Sequence, residues 1–139
     1  MSMSNATENQ TLKMHLQGTD PAYRAGATQY LALVTDGGGA VSEATPIANE
    51  CTYTGYARVA LTKASAWTDG GSSFTNAALI QFGKRTDGGA TQTATAVVVV
   101  DTASGAITQG IIGVLSASLA INLNIQPQFA IGDITITAE

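Results

Sequence analysis

The sequence predicts an all-β protein, a single β-sandwich of jelly-roll type that follows a short N-terminal helix or arm. From Ala27 onward, short runs rich in β-branched residues are separated by glycine and aspartate at the close spacing typical of a sandwich or barrel. Several runs alternate, as in the Ile-Thr-Ile-Thr sequence that begins at Ile134. The length of 139 residues fits one hydrophobic core. We therefore predict an arm over residues 1–26 and a β-sandwich domain over residues 27–139.

The arm carries the signals of a short helix over about Ala6–Gln17. Asn5 is placed to cap the start of this helix, with Glu8 bonding back to the Asn5 amide, and Gly18 offers a left-handed residue at its end. A strand is the alternative, because apolar and polar side chains alternate here. The apolar members of that alternation are Leu12, Met14 and Leu16.

Seven strands are predicted in the β-sandwich domain. They are Thr28–Thr35, Tyr56–Ala66, Ala77–Phe82, Thr93–Asp101, Ala106–Leu115, Leu119–Asn124 and Ile131–Thr137. The run Val97–Val100 does not alternate, which indicates a strand covered on both faces or an edge protected by assembly. Thr-Asp-Gly-Gly occurs three times, at Thr35–Gly38, Thr68–Gly71 and Thr86–Gly89. Asp-Gly favours tight turns, and each loop lacks the further oxygen ligands of a calcium site.

The composition favours assembly with other proteins. Charged residues make up 12% of the chain, and the net charge is -4. A surface of neutral polar and small groups is cheap to desolvate, which favours lasting contacts. Since no basic run is longer than Lys84-Arg85, direct nucleic-acid binding is not predicted. The N-terminus lacks the features of a signal peptide, so we predict that the protein folds in a cytoplasm. Polar residues interrupt the apolar span Ala106–Leu123, so no membrane span is predicted.

The residues that carry most enzyme chemistry are scarce in this chain. His15 is the only histidine and lies in the arm, and no nucleophile-elbow or phosphate-binding glycine motif occurs. Cys51 is the single cysteine, which excludes an intrachain disulfide and predicts a buried thiol. The free carboxylates Glu43, Glu50, Asp69 and Asp101 show no pairing pattern. We therefore predict a non-enzymatic protein without catalytic residues, cofactor or metal.

Isolated aromatic and basic side chains have two interpretations each. Aromatic residues in or beside loops could stack on sugars, but anchoring in a core or interface is favoured because the chain has so few. They are Tyr53, Tyr56, Trp67 and Phe74. Arg58 is a lone cation in a neutral strand, and we expect a bidentate pair with Glu43 or Glu50 that fixes strand geometry or a subunit contact.

Short stretches in a fixed order resemble the small virion proteins of tailed phages, of the tail-fibre or head-decoration type. The stretches are Ala27–Thr35, Glu43-Ala44, Gly55–Val59, Asn76–Ala78 with Ile80 and Phe82, Asp101–Gly105, and Phe129–Gly132 with the Ile-Thr-Ile-Thr tail. The resemblance covers nearly the whole chain and implies a compact β-sandwich, often of jelly-roll type, after a short helix. Gln92–Thr95 departs from the family, which usually has a tryptophan-glycine pair there, so no role is carried over to this loop.

The first functional hypothesis is a capsid decoration, or cement, protein made in the bacterial host cytoplasm. It would form a homotrimer on the capsid exterior and bridge subunits of the major capsid protein. Because it would bind only the assembled lattice, the free energy of binding would stabilise the assembled head. The candidate interface residues are Leu12, Met14, Leu16, Tyr56, Arg58 and Trp67. The alternative is a tail-fibre or baseplate appendage that binds a host surface glycan.

Overall fold

The computed structural model describes residues 2–35 and 41–137, and within them the chain forms ten strands and two helices. In chain order the elements are β1 (Ser2–Met3), α1 (Asn5–Gln17), α2 (Ala22–Ala25), β2 (Thr28–Val34), β3 (Val59–Thr62), β4 (Trp67–Asp69), β5 (Ser73–Asn76), β6 (Ile80–Gln81), β7 (Gln92–Val100), β8 (Gly110–Ile121), β9 (Gln128–Phe129) and β10 (Thr135–Thr137). Neither helix in the described ranges is long and apolar enough to cross a membrane.

Five antiparallel strands form the main sheet, in the order β1-β8-β7-β2-β3. Its centre is the pairing of β2 with β7, in which Leu31 lies opposite Val99 and Leu33 opposite Val97. These β-branched and leucine side chains fit a pleated, buried surface, which explains why the strands lie at the middle of the sheet.

The two faces of β7 belong to two different hydrophobic clusters. Val97 and Val99 pack in the larger cluster, together with Leu31, Leu33 and Phe82. Val98 and Val100 pack on the opposite face with Val34 and Ile112. The valine run is thus covered on both faces within one chain, which confirms the first of the two interpretations of its missing alternation.

Two small antiparallel sheets lie over the larger cluster. One has the order β10-β5-β4, and the other pairs β6 with β9. They contribute Ile80, Phe129 and Trp67 to that cluster, and Ile134 joins it from just before β10. The protein is therefore mainly antiparallel β with a short N-terminal helix, and it packs sheet against sheet as a sandwich does. The jelly-roll connection stays a prediction, as does the domain boundary after residue 26.

The predicted strands agree with the structure best at the centre of the main sheet. β2 and β7 occupy almost their predicted ranges. The prediction for Tyr56–Ala66 is too long: only Val59–Thr62 is a strand, because turns closed by Tyr56 N–H to Tyr53 O and Ser65 N–H to Thr62 O bound it. Ala77–Phe82 and Ile131–Thr137 shrink to β6 and β10, while β1, β4, β5 and β9 were not predicted.

In place of the two strands predicted over 106–115 and 119–124, the structure has a single long strand, β8, which begins at Gly110 and ends at Ile121. The separate predictions nevertheless reflect a real irregularity, because the register between β7 and β8 shifts there. Ala94 lies opposite Leu119 and Ala96 opposite Val114, so that residues 115–118 face only Thr95. This is a β-bulge with several extra residues on β8.

The predicted N-terminal helix is present, but its cap is one residue earlier than expected. Ser4 is the cap: it is extended, and its hydroxyl oxygen accepts a hydrogen bond from the Thr7 N–H at 3.3 Å. Asn5 is already the first helical residue, so it cannot serve as the cap. Gly18 ends the helix in the left-handed conformation, as predicted. The short helix α2 was not predicted.

The described repeats of Thr-Asp-Gly-Gly form turns. At the β4–β5 hairpin, Asp69 accepts a hydrogen bond from the Gly71 N–H at 2.7 Å, and Gly71 has a positive φ of 88°. In the third repeat Asp87 accepts a hydrogen bond from the Gly89 N–H. Asp36–Gly38 of the first repeat lies outside the described residues. Among the described residues no group of three or more metal-ligating side chains comes together.

Candidate assembly surface

Arg58 is held inside the chain by the carboxylate of Glu50. Its guanidinium donates from Nε and Nη2 to the two carboxylate oxygens, each at 2.8 Å, and also to the carbonyl oxygens of Thr102 and Gly105. Arg58 is 8% exposed, and the hydrogen bond to Glu50 raises its pKa. The pair confirms the expected bidentate geometry and selects Glu50 over Glu43. It ties the segment before β3 to the loop after β7.

Tyr56 completes this network. Its hydroxyl donates to Glu50 Oε1 at 2.7 Å and accepts from the Leu33 N–H at 3.1 Å. Burial and the hydrogen bond to Glu50 raise the pKa of Tyr56 far above its ordinary value. The described contacts of Tyr56 and Arg58 are therefore within the chain, and their role at a subunit interface stays a prediction.

Two further buried polar side chains had no sequence signal that set them apart. Arg85 is 2% exposed, donates to Asp87 from Nε at 2.8 Å and to the Ile121 carbonyl oxygen at 2.6 Å, and so fixes the end of β8. Asn76 is fully buried and donates to the carbonyl oxygens of Ala78 and Ala130. Both hold loop backbone in place, a role that depends on tertiary contacts.

Each acidic candidate residue is exposed or engaged in local structure. Asp101 accepts hydrogen bonds from the N–H groups of Thr108 and Gln109 at 2.9 and 3.1 Å. Burial acts to raise the pKa of Asp101, but these bonds and one from the Thr108 hydroxyl outweigh it and hold the pKa below its ordinary value. Glu50 is paired with Arg58, Asp69 closes a turn, and Glu43 is exposed. Nothing in these described contacts forms an acid pair of the glycosidase type.

The single thiol and the aromatic rings mostly serve the core. Cys51 is buried, and desolvation, followed by the nearby Glu50 charge, raises the pKa of its thiol to about 11. Tyr53 is buried, and Trp67 is half-buried against the larger cluster. Phe74, 44% exposed, is the most exposed aromatic side chain in the described ranges. Tyr53, Tyr56 and Trp67 all pack in or against the core, which is one of the two forms of anchoring that the sequence favoured.

The N-terminal helix is attached by its first turns and leaves its end free. The Thr7 hydroxyl donates to the Gly110 carbonyl oxygen and accepts from the Gly110 N–H, while the Ser4 N–H also donates to that carbonyl. Farther along, Leu12 and Leu16 are 57% and 78% exposed, and Met14 is half-buried. Leu12 and Leu16, two of the residues proposed for an interface, are therefore exposed on the arm.

A long surface segment without charge lies at the same edge of the main sheet, where Gly110 of β8 holds the arm. No charged residue occurs between Asp101 and Asp133, and we call residues 102–132 the uncharged segment. It contains β8 and exposes several large apolar side chains. They are Val114 (81%), Leu123 (52%), Ile125 (41%) and Ile131 (70%). The lack of charge was visible in the sequence, but which of these residues are exposed was not.

Within residues 2–35 and 41–137, the outer edge of β8 is largely unpaired. There β1 pairs with it at Ile111 and Ile112 alone. A groove of about 1150 Å³ borders the remainder, with Leu115 and Ala117 of β8 on one side and Thr135 of β10 on the other. A free strand edge presents a row of backbone donors and acceptors that another strand can bind. The arrangement can therefore bind a polypeptide along the uncharged edge of β8, while Glu43 and Asp133 place two carboxylates elsewhere on the groove wall.

Comparison with known proteins gives one family. Residues 2–137 match the family described as Podophage GP4 fiber I protein gp80. A search of curated proteins gives no match. The match confirms the resemblance to tailed-phage virion proteins that the sequence stretches indicated. With nearly the whole chain aligned, this protein belongs to the Podophage GP4 fiber I protein gp80 family and is a structural protein of the phage virion.

Proposed function

We propose that the chain is a subunit of a fibre-type appendage of the virion and works through lasting contacts with copies of itself and with other virion proteins. The observation that carries the proposal is the uncharged segment, which combines exposed apolar side chains with an unpaired strand edge. Burying such a surface removes apolar area from water without stripping ions of their hydration. This is the property that a permanent assembly contact requires.

The description of the family supports the appendage over the shell, because it names a fibre protein. Fibre subunits need contacts along and between chains, and β-strand edges provide such contacts in register. The proposed role involves no catalysis. It is consistent with charged candidate residues such as Arg58, Glu50 and Asp101 being engaged in holding loops.

Capsid decoration is the competing proposal, and the arm favours it. A helix anchored at Thr7 and exposing Leu12 and Leu16 farther along can reach a neighbouring subunit. In this role the chain would sit on the capsid exterior as a homotrimer and bind the major capsid protein. Many weak contacts on an assembled lattice would add up by multivalency.

Copy number and location separate the two roles. Purified particles are split into heads and tails, and the protein is quantified against the major capsid protein by mass spectrometry. We expect it in the tail fraction at a small fraction of the capsid protein. Recovery with heads, at about one copy per capsid subunit as lattice symmetry would impose, would overturn the appendage proposal and support decoration.

A further inference from the structure

We propose that the outer edge of β8 is a self-association site, at which β8 of a second copy of this chain pairs antiparallel about a twofold axis at Ala117. The inference rests on the proposed function, because it names the partner that the uncharged segment would bind. Four observations support it: the unpaired edge, its lack of charged side chains and proline, the continuous alternation of β8, and the symmetry of its sequence.

The first observation is the extent of the unpaired edge. β8 has twelve residues, and β7 pairs with it on the inner side. On the outer side β1 pairs with Ile111 and Ile112 alone, so that, among the described residues, Gly113–Ile121 has no strand partner there. Residues 115–118 also lie outside the regular ladder with β7. Backbone groups in this stretch are available for a further strand.

The second observation is that β8 lacks the charged side chains and proline that usually protect a sheet edge. Proteins discourage unwanted pairing with lysine, proline or inward-pointing charges on edge strands. Gly110–Ile121 contains none of these residues. Val114, which is 81% exposed, instead places a large β-branched side chain on this strand. An edge of this composition is suited to a partner strand.

The third observation is that the same face of β8 points toward the core on both sides of the bulge. Ile111, Leu115, Leu119 and Ile121 all pack against the larger cluster, whereas Val114 and the residues that alternate with these leucines are exposed. The period of two is kept from one end of β8 to the other. A second strand can therefore follow this edge with one consistent face toward the core.

The fourth observation selects the occupant. Outward from Ala117 the sequence of β8 is nearly the same in both directions, with serine at 116 and 118, then leucine at 115 and 119. In a twofold antiparallel pair centred on Ala117, each leucine lies opposite a leucine and each serine opposite a serine. Opposed hydroxyl side chains hydrogen-bond across strands, and the leucines would join the two hydrophobic cores. The edge is thus complementary to itself.

Cysteine cross-linking tests the register. In antiparallel pairs, opposite Cα atoms lie about 4.5–5.5 Å apart, within the range that a disulfide spans. We expect Ala117→Cys to form a disulfide-linked dimer on oxidation. Val114→Cys or Ala120→Cys alone should not cross-link, because each lies about 20 Å from its own copy at six residues along a strand. A mixture of the two variants should cross-link, since Val114 then lies opposite Ala120.

The wild-type chain controls for the buried Cys51, which we expect to stay unlinked. A dimer without the Ala117→Cys disulfide would overturn the inference, and cross-linking by Val114→Cys alone would overturn the register. A wild-type chain that sediments as a monomer at every concentration would also overturn it. A trimer that forms no Ala117→Cys cross-link would point to a different interface and would contradict the inference equally.

A charge substitution tests the edge without cross-linking. Ala117→Lys places two like charges opposite each other at the axis, so we expect at least a tenfold rise in the dissociation constant of the dimer. Ser72→Lys, exposed in the turn between β4 and β5, adds the same charge away from the edge and should leave it unchanged. Equal weakening by both substitutions, or by neither, would contradict the proposed site.

The two proposals can fail separately. The fractionated particles decide whether the chain belongs to an appendage, and the purified chain decides whether β8 pairs with itself. Recovery in the tail fraction together with a monomeric purified chain would leave the appendage role standing and remove the β8 pair. Recovery with heads together with an Ala117→Cys dimer would remove the appendage role and leave the β8 pair standing.

Discussion

Replacing Glu50 with glutamine would show how much of the fold depends on its pair with Arg58. The substitution keeps the size of the side chain but removes the negative charge beside Arg58, whose side chain is 2% exposed. Arg58 keeps its hydrogen bonds to Thr102 and Gly105, but its charge would be buried without compensation.

The structure sets the expected magnitude. Removing one partner of a buried ion pair typically costs about 3–5 kcal/mol. The Glu50 side chain keeps 19% exposure, and the glutamine oxygen can still accept one hydrogen bond. We therefore expect Glu50→Gln to lower the free energy of unfolding by about 2–3 kcal/mol.

Urea unfolding followed by fluorescence measures this change, because Trp67 is the only tryptophan and packs against the larger cluster. Asp20→Asn is the matched control: it removes a carboxylate paired with Arg24 at 2.6 Å, but on the exposed surface. Surface pairs contribute about 0–1 kcal/mol. The reasoning is refuted if Glu50→Gln costs no more than Asp20→Asn.

Three further predictions concern other contacts. Gly83→Ala would place a Cβ 1.7 Å from the Gly55 carbonyl oxygen. We therefore expect the free energy of unfolding, measured in urea, to fall by about 1–3 kcal/mol. An unchanged urea midpoint would contradict this expectation. Hydrogen bonds from Thr54 N–H and Arg85 lower the pKa of Asp87 from 3.8 to about 2. The ionised Asp87 carboxylate therefore stabilises the folded state above pH 4, and this contribution is lost as the pH falls toward 2. Asp87→Asn should flatten the acid limb of a stability–pH profile, and an unaltered limb would exclude this role. Burial raises the pKa of the Cys51 thiol to about 11. A thiol reagent at neutral pH should therefore label Cys51 only after the chain is unfolded in urea. Rapid labelling of the folded chain would contradict this, because it would show that the thiol is accessible.

Local sequence patterns predicted the elements that depend on near neighbours. Gly18 ends α1 because a glycine adopts positive φ without strain, and this requirement is local. Val97–Val100 could be recognised as a strand without a polar face because its four residues are all valine, and the structure then showed that both faces are covered within the chain. Arg58 could be assigned a carboxylate partner because a lone buried cation needs one.

Other features depended on which segments meet in space. Ser4, rather than Asn5, caps α1 because the Ser4 N–H is fixed by the Gly110 carbonyl oxygen, far along the chain. Arg85 looks like a surface residue in the sequence, yet it is 2% exposed because the end of β8 closes over it. No local pattern carries this information.

The sequence by itself determined a mainly β protein with a short helical arm, a low-charge surface and membership in a tailed-phage virion family. The tertiary structure decided which strands pair, which polar side chains are buried, and that the outer edge of β8 is largely unpaired within the described part of the chain. The reason is physical: propensity and patterning act over a few residues, whereas the edge of a sheet exists only once strands distant in sequence have paired.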